Sequence, residues 1–188
     1  MGLLKEFVKD PGGIGTVIPS SRKLANAMTS DIGIEKAGTV VEIGPGSGVF
    51  TTRILELISS ETKYFLVELN SRMYKHLTEK FPNVKIYNDS VENLAEILKR
   101  EGVASADVVV SGLPWASFPP ELQHKLLDAI YGSLSEGGIF TTYAYIQGKI
   151  MPGGLSIKKL LKRHFNTVES SGTIWKNLPP AFVYKCVK

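Results

Sequence analysis

The chain has 188 residues, 43% hydrophobic and 21% charged, a balance that fits one soluble globular domain with a sizeable core. No apolar run approaches the ~20 residues of a membrane-spanning helix, and no leader with a small-residue cleavage site is seen at the start. The single cysteine, Cys186, excludes an internal disulfide and fits a cytoplasmic setting, and no His/Cys cluster has metal-ligand spacing, so no metal is expected. The net charge of +4 is uneven: residues 151–188 hold Lys158, Lys159, Lys162, Arg163, Lys176, Lys185 and Lys188 against Glu169 alone. Such a tail is either a solvated helix face or a contact for an anionic lipid surface or nucleic acid.

In chain order, GLLKEFVKD places Leu3, Leu4, Phe7 and Val8 on one side of a helix that Pro11-Gly12-Gly13 stops. Pro19-Ser20-Ser21 reads as a second helix start with a serine N-cap. Short apolar, β-branched runs then predict strands at 39–43, 63–69, 84–87, 106–111 and 138–145. Helical patterns lie between and after them, at about 49–59, 71–80, 91–100, 119–134 and 156–164. Strand and helix in alternation predict a doubly wound parallel sheet with helices on both faces. The end differs: NTVESSGTIW and AFVYKCVK are separated only by KNLPP, which predicts an antiparallel pair.

Between the first strand and its helix stands Glu42-x-Gly44-x-Gly46-x-Gly48, with Pro45 and Ser47 in the gaps. Glycines there permit a tight turn and let a ligand lie against bare backbone. The spacing is not the GxGxxG of a dinucleotide site. Glu68, 20 residues beyond Gly48, ends the second strand, where a carboxylate accepts hydrogen bonds from both ribose hydroxyls. The carboxylate marks a nucleoside without choosing between a dinucleotide and S-adenosylmethionine; the loop spacing favours S-adenosylmethionine.

An α/β sheet of seven strands ending in an antiparallel pair resembles the Rossmann-like fold of class I S-adenosylmethionine-dependent methyltransferases. That resemblance implies a cofactor site of Glu42, Gly44, Pro45, Gly46, Ser47, Gly48, Glu68 and Leu69. It adds Asn88, Asp89 and Ser90 around the adenine, and Ser111, Gly112 and Leu113 after the fourth strand. EIGPGSG and LPW also resemble ribosomal-RNA adenine dimethyltransferases. There an Asn precedes Leu-Pro-aromatic and takes the base amine; here Gly112 stands in its place. GTVIPSSRKLANAM, VVEIGPGSGVFTTRIL, SGLPWASFP and IWKNLPPAFVYKCVK are similar, over nearly the whole chain, to the phospholipid N-methyltransferase family. This implies an enzyme that methylates phosphatidylethanolamine or a related aminolipid, an ornithine lipid included, on a membrane surface.

The residues are compatible with that implication. The first helix has an apolar stripe flanked by lysines, a form suited either to a lipid interface or to packing on the sheet. The basic C-terminal region adds attraction to an anionic surface, so the expected location is cytoplasmic and peripheral on the inner face of the cell membrane. Aromatic residues gather at the expected carboxyl edge: Trp115, Phe118, Tyr143, Tyr145 and, with them, Trp175. Trp115, Tyr143 and Tyr145 are the candidate catalytic residues, since aromatic faces attract ammonium groups and a phenol orients an amine. His76, His124 and His164 read as surface residues on helices. One methyltransferase domain over 1–188 is expected, with a helical segment 1–31 covering the cofactor site and a core over 32–188. A small-amine or protein methyltransferase and a ribosomal-RNA adenine enzyme stay open as alternatives, and a non-enzymatic S-adenosylmethionine sensor as a third; nucleic acid is the less favoured partner.

Overall fold

A computed structural model describes residues 20–150 and 152–188; the predicted helix at Leu3–Val8 lies outside them. Seven runs form one sheet: β1 (Thr39–Ile43), β2 (Lys63–Val67), β3 (Lys85–Tyr87), β4 (Ala106–Ser111), β5 (Leu134–Tyr145), β6 (Thr167–Ser170) and β7 (Ala181–Val187). Their order is β3-β2-β1-β4-β5-β7-β6. The first five pair in parallel, and β7 runs antiparallel between β5 and β6, as the short KNLPP connection requires. β1 is buried along its whole length because helices cover both of its faces. β6, short and mostly exposed, leaves a polar edge that resists pairing with another chain.

The helices are α1 (Arg22–Thr29), α2 (Val49–Leu55), α3 (Ser71–Lys80), α4 (Leu94–Arg100), α5 (Pro120–Ser133) and α6 (Pro152–His164). Ser21 caps α1 through its hydroxyl, which accepts from the Leu24 N–H at 3.1 Å. Successive β1 residues point to opposite faces, so they feed separate cores. Val41 and Ile43 pack with Ile97 of α4, Leu126 of α5 and Leu160 of α6. Val40 packs with Leu24 and Met28 of α1 and Ile54 of α2. Each fully buried aliphatic side chain contributes roughly 1.5–3 kcal/mol over exposure.

Several boundaries depart from the sequence reading. β2 ends at Val67 rather than Leu69, and α2 at Leu55 rather than 59. β5 begins at Leu134, through an irregular pairing with β4 and a left-handed Gly137 at φ +73°. α6 starts four residues earlier than expected, at Pro152. Pro-Gly-Gly reads as a helix stop, yet here the proline stands at the first helical position, where it is tolerated. The two glycines give the helix close approach to backbone: an added Cβ would lie 2.2 Å from the Ala116 carbonyl oxygen at Gly153, and 1.8 Å from that of Gly148 at Gly154.

The parallel strands all end at one edge of the sheet. There the chain leaves β1 and β4 toward opposite sides, which opens the crevice typical of ligand sites in such sheets.

Candidate active site

The turn from β1 into α2 fills that crevice. Gly44, Gly46 and Gly48 have φ of +63°, +55° and +79°, which L side chains rarely adopt. A Cβ at Gly48 would lie 2.5 Å from the Phe81 ring, and one at Gly44 2.8 Å from the Leu113 side chain. At Gly46 it would meet none of the described residues within 4 Å. The turn is held from outside itself: Gly44 N–H donates to Val67 O at 3.0 Å, and Gly112 N–H donates to Ile43 O at 2.8 Å. Lys80, at the end of α3, donates to Ser47 O at 2.8 Å. Gly112 sits so close to the turn that a Cβ there would stand 2.2 Å from the Gly44 oxygen.

The two glutamates do different work. Glu42 is fully buried; its Oε2 accepts from Thr51 at 2.8 Å and from the Tyr64 hydroxyl at 2.5 Å, while Oε1 has no partner. Burial pushes its carboxyl up to about 7, and the Tyr64 and Thr51 hydrogen bonds hold it from going higher. The structure therefore places Glu42 beneath the turn, bracing β1 against α2 and β2. Glu68 is 8% exposed at the end of β2, and its Oε1 accepts from the Asn70 N–H at 2.8 Å. Burial raises its carboxyl, opposed by hydrogen bonds from the backbone of Asn70, Gly46 and Leu69. The Gly46 backbone among these causes sets the Glu68 carboxylate beside the glycine turn.

At the end of β3, Asn88 donates to Glu68 O at 2.8 Å and to Leu69 O at 3.2 Å, and so fixes the spacing of the β2 and β3 ends. Asp89 Oδ1 accepts from Ser90 N–H at 2.7 Å and from Asn93 at 2.8 Å. Ser90 caps the short turn over Val91–Asn93. Ser111 is buried, and its hydroxyl accepts from the Trp115 indole at 3.2 Å. Leu113 lies over Gly44.

Two recesses adjoin. The first is lined by Ser20, the turn from Gly44 to Ser47, Phe50, Gly112 and Tyr143. The second is lined by the segment Leu113–Ser117 together with Thr142, Tyr143, Tyr145, Ile157 and Tyr184. Tyr143 belongs to both. Its ring lies edge-on to Phe50 and to Tyr145, at centroid distances of 5.8 and 5.5 Å. Burial, with Tyr145 beside it, raises the Tyr143 hydroxyl well above its usual range, against a hydrogen bond with Ser20 that lowers it. Trp115 is 2% exposed and edge-on to Phe118 and Phe140, so it forms a wall whose polar N–H is already used.

Trp175, by contrast, is 74% exposed and lines neither recess. His76 and His124 are exposed, but His164 is largely covered, its Nε2 2.7 Å from Asp128 and its ring edge-on to Tyr131. Its place in the last turn of α6, packed back on α5, was not visible from helical periodicity alone. Among the described residues no group of His, Cys, Asp or Glu is placed to hold a metal ion.

Three residues were missed by the sequence reading. Lys80 carried no signal, because its partner is a backbone carbonyl 33 residues away. Gln123 did carry one, a polar residue on the apolar stripe of α5. It is buried and donates to Trp115 O, Phe118 O and Gly153 O at 2.7, 3.2 and 3.0 Å, locking the wall segment to α6. Asn177, in the WKNLPP segment, accepts from Ser21 N–H at 2.9 Å and donates to Pro179 O at 2.7 Å. Two segments singled out in the sequence thus meet beside Ser20.

A glycine turn with bare backbone, a buried carboxylate at the next strand end and a polar third strand end fit an adenosyl group carrying an amino-acid tail. Residues 44–48, Glu68, Asn88 and Asp89 are the ones that could hold it. Sheet order and site together define an S-adenosylmethionine-dependent methyltransferase. Residues 15–94 match the family described as ribosomal RNA adenine dimethylase. The ornithine lipid N-methyltransferase of Singulisphaera acidiphila is 32% identical over 186 residues, 97% of this chain and 93% of that protein. The ribosomal RNA small subunit methyltransferase A of Thermotoga petrophila is 24% identical over 67% of this chain but only 46% of its own length. Among solved structures, an O-methyltransferase of Bacillus cereus in complex with SAH superposes with TM-score 0.72 at 12% identity, covering 98% of this chain and 90% of that one. An O-methyltransferase of Streptomyces achromogenes in complex with SAM gives 0.70 at 13%, covering 100% and 91%. The chain belongs to the class I S-adenosylmethionine-dependent methyltransferase family, together with that ornithine lipid enzyme.

Proposed function

We propose that this enzyme methylates the primary amine of a membrane aminolipid, an ornithine lipid or phosphatidylethanolamine, at the inner face of the cell membrane. The observation that carries the reading is the near full-length similarity to the ornithine lipid N-methyltransferase. The second recess supports it: among the described residues its lining holds Trp115, Tyr143, Tyr145 and Tyr184 and neither carboxylate nor imidazole. Aromatic faces attract the methylated ammonium product.

S-adenosylmethionine supplies an activated methyl, so the chain's task is to orient a lone pair and exclude water. An apolar recess favours the neutral amine over the ammonium ion. The Tyr143 hydroxyl keeps its proton at neutral pH, so it accepts a hydrogen bond from the amine and acts as an orienting group rather than a base. The amine proton leaves to water, since among the described residues no side chain lining the recess is placed to take it. Gln123 keeps the Trp115 wall in place, and Lys80 keeps the glycine turn in place.

A second reading, adenine methylation in ribosomal RNA, is favoured by the family match over residues 15–94. That match ends before Ser111–Trp115, and Gly112 offers no side chain to a base amine. The deciding experiment is transfer of labelled methyl to vesicles containing ornithine lipid or phosphatidylethanolamine, with structured RNA as the parallel acceptor. Label in the lipid phase supports the aminolipid reading; label in RNA alone overturns it.

A further inference from the structure

Among the described residues the large exposed apolar side chains are Ile150 at 83%, Trp175 at 74%, Leu178 at 70%, Leu155 at 48% and Leu55 at 41%. Four of these five sit on two segments that leave one edge of the sheet. Ile150 and Leu155 follow the carboxyl end of β5; Trp175 and Leu178 precede the start of β7, where Ala181 pairs with Tyr145. Ile146 N–H donates to Pro180 O at 3.0 Å, which joins the two segments side by side. Leu55 stands apart at the far end of α2. The recess containing Tyr145 and Trp115 lies at the same edge as the four.

The exposure is built in rather than a product of loose backbone. Asn177, between Trp175 and Leu178, is 3% exposed and held by Ser21 and Pro179, while Ile174 bridges to Ala181. Leu155, Lys158 and Lys159 share one face of α6 by helical spacing. Segments 146–159 and 171–180 carry Lys149, Lys158, Lys159 and Lys176, all exposed, and no acidic residue. Lys23 of α1 joins Trp175 and Lys176 around a shallow groove.

We propose that these two segments seat the enzyme on an anionic bilayer, a proposal that rests on the aminolipid reading above. Ile150, Leu155, Trp175 and Leu178 enter the interface, the lysines meet lipid phosphates, and the recess faces the headgroup layer. Apolar tips with a basic surround suit a lipid interface. RNA phosphates would engage the lysines and leave four apolar side chains in water. A twofold contact with a second copy would set lysine against lysine.

The test uses the full chain and vesicles of phosphatidylethanolamine with phosphatidylglycerol, against phosphatidylcholine alone. Trp115 is 2% exposed, so Trp175 carries the fluorescence response. Brominated acyl chains are expected to quench it, and W175F to abolish that quenching. W175A/L178S and I150S/L155S are each expected to lower vesicle partitioning about 30-fold or more, and K149Q and K176Q about fivefold each. Transfer to aminolipid in detergent micelles should stay within about twofold, which also shows that the variants fold. Unchanged partitioning in both double variants, or absence of quenching, overturns the proposal. So does self-association that W175A/L178S abolishes, which would assign the face to a second copy. Vesicle binding without lipid labelling would instead sink the aminolipid reading and leave the docking surface standing. Micellar transfer without vesicle binding would do the reverse.

Discussion

Replacing Gly112 by alanine tests the arrangement of the site most directly. The new Cβ would lie 2.2 Å from the Gly44 oxygen and 3.3 Å from its carbonyl carbon. Clearing contact to 3.0 Å requires a shift of at least about 0.8 Å, and the obstacle is backbone rather than a flexible side chain. Gly112 is itself tied to Ile43 O, so the glycine turn must move. Overpacking of this kind costs about 2 kcal/mol, which lowers the melting temperature by about 4–8 °C in a chain of this size. Displacing the turn should weaken S-adenosylhomocysteine binding by about tenfold or more. Gly132 provides the control: it lies inside α5, and an added Cβ meets nothing within 4 Å. Alanine there should stabilise by about 0.5–1 kcal/mol and leave binding unchanged. Thermal unfolding and titration calorimetry on both variants measure the contrast. G112A with wild-type stability and affinity would refute the assignment of Gly112 to the support of the turn.

Glu68→Ala should lower cofactor affinity by about a hundredfold or more, because charge-assisted bonds to two ribose hydroxyls are lost; calorimetry with unchanged affinity would remove Glu68 from the site. Glu42 titrates near 7 in the folded chain instead of at the usual 4.5, so the folded state holds the extra proton between those values. Its contribution is full below about pH 4.5 and is lost as pH rises through about 7, a change of about 3 kcal/mol. Glu42→Gln should flatten that part of the stability profile measured by chemical denaturation; an unaltered slope would contradict it. Tyr143→Phe retains the ring and should reduce kcat about tenfold, the worth of one orienting hydrogen bond, with S-adenosylhomocysteine affinity within about twofold. Equal kcat for variant and wild type in the vesicle assay would exclude the hydroxyl from orienting the amine.

The strands and the glycine turn were legible because their signals are local. A β-branched run of five residues and three glycines at alternate positions speak for themselves, and Ser21 declared its cap by position. What escaped depends on distant partners. The helix expected from 156 begins at Pro152, because the carbonyls that Gly153 and Gly154 pack against, at Ala116 and Gly148, belong to other turns of the chain. Glu42 was visible as an acid before a glycine turn, but its engagement by Thr51 and Tyr64 follows from the β1–β2 register and the path of α2. Trp115 and Trp175 looked alike in sequence; packing buried one and left the other in solvent. The resemblance carried by SGLPW and WKNLPP identified conspicuous segments without revealing that Asn177 holds the segment before α1.

The link between Asn177 and Ser21 sets a rule for recombination. It spans 156 positions of sequence, yet it fixes the wall at Ser20. In a chimera of two related enzymes, any single crossover between these positions takes the helix start from one parent and its anchoring loop from the other. Two crossovers inside the span exchange the cofactor turn or the acceptor recess and keep the pair together. The middle of the chain is therefore exchangeable in pieces, while its two flanking segments are inherited as a set.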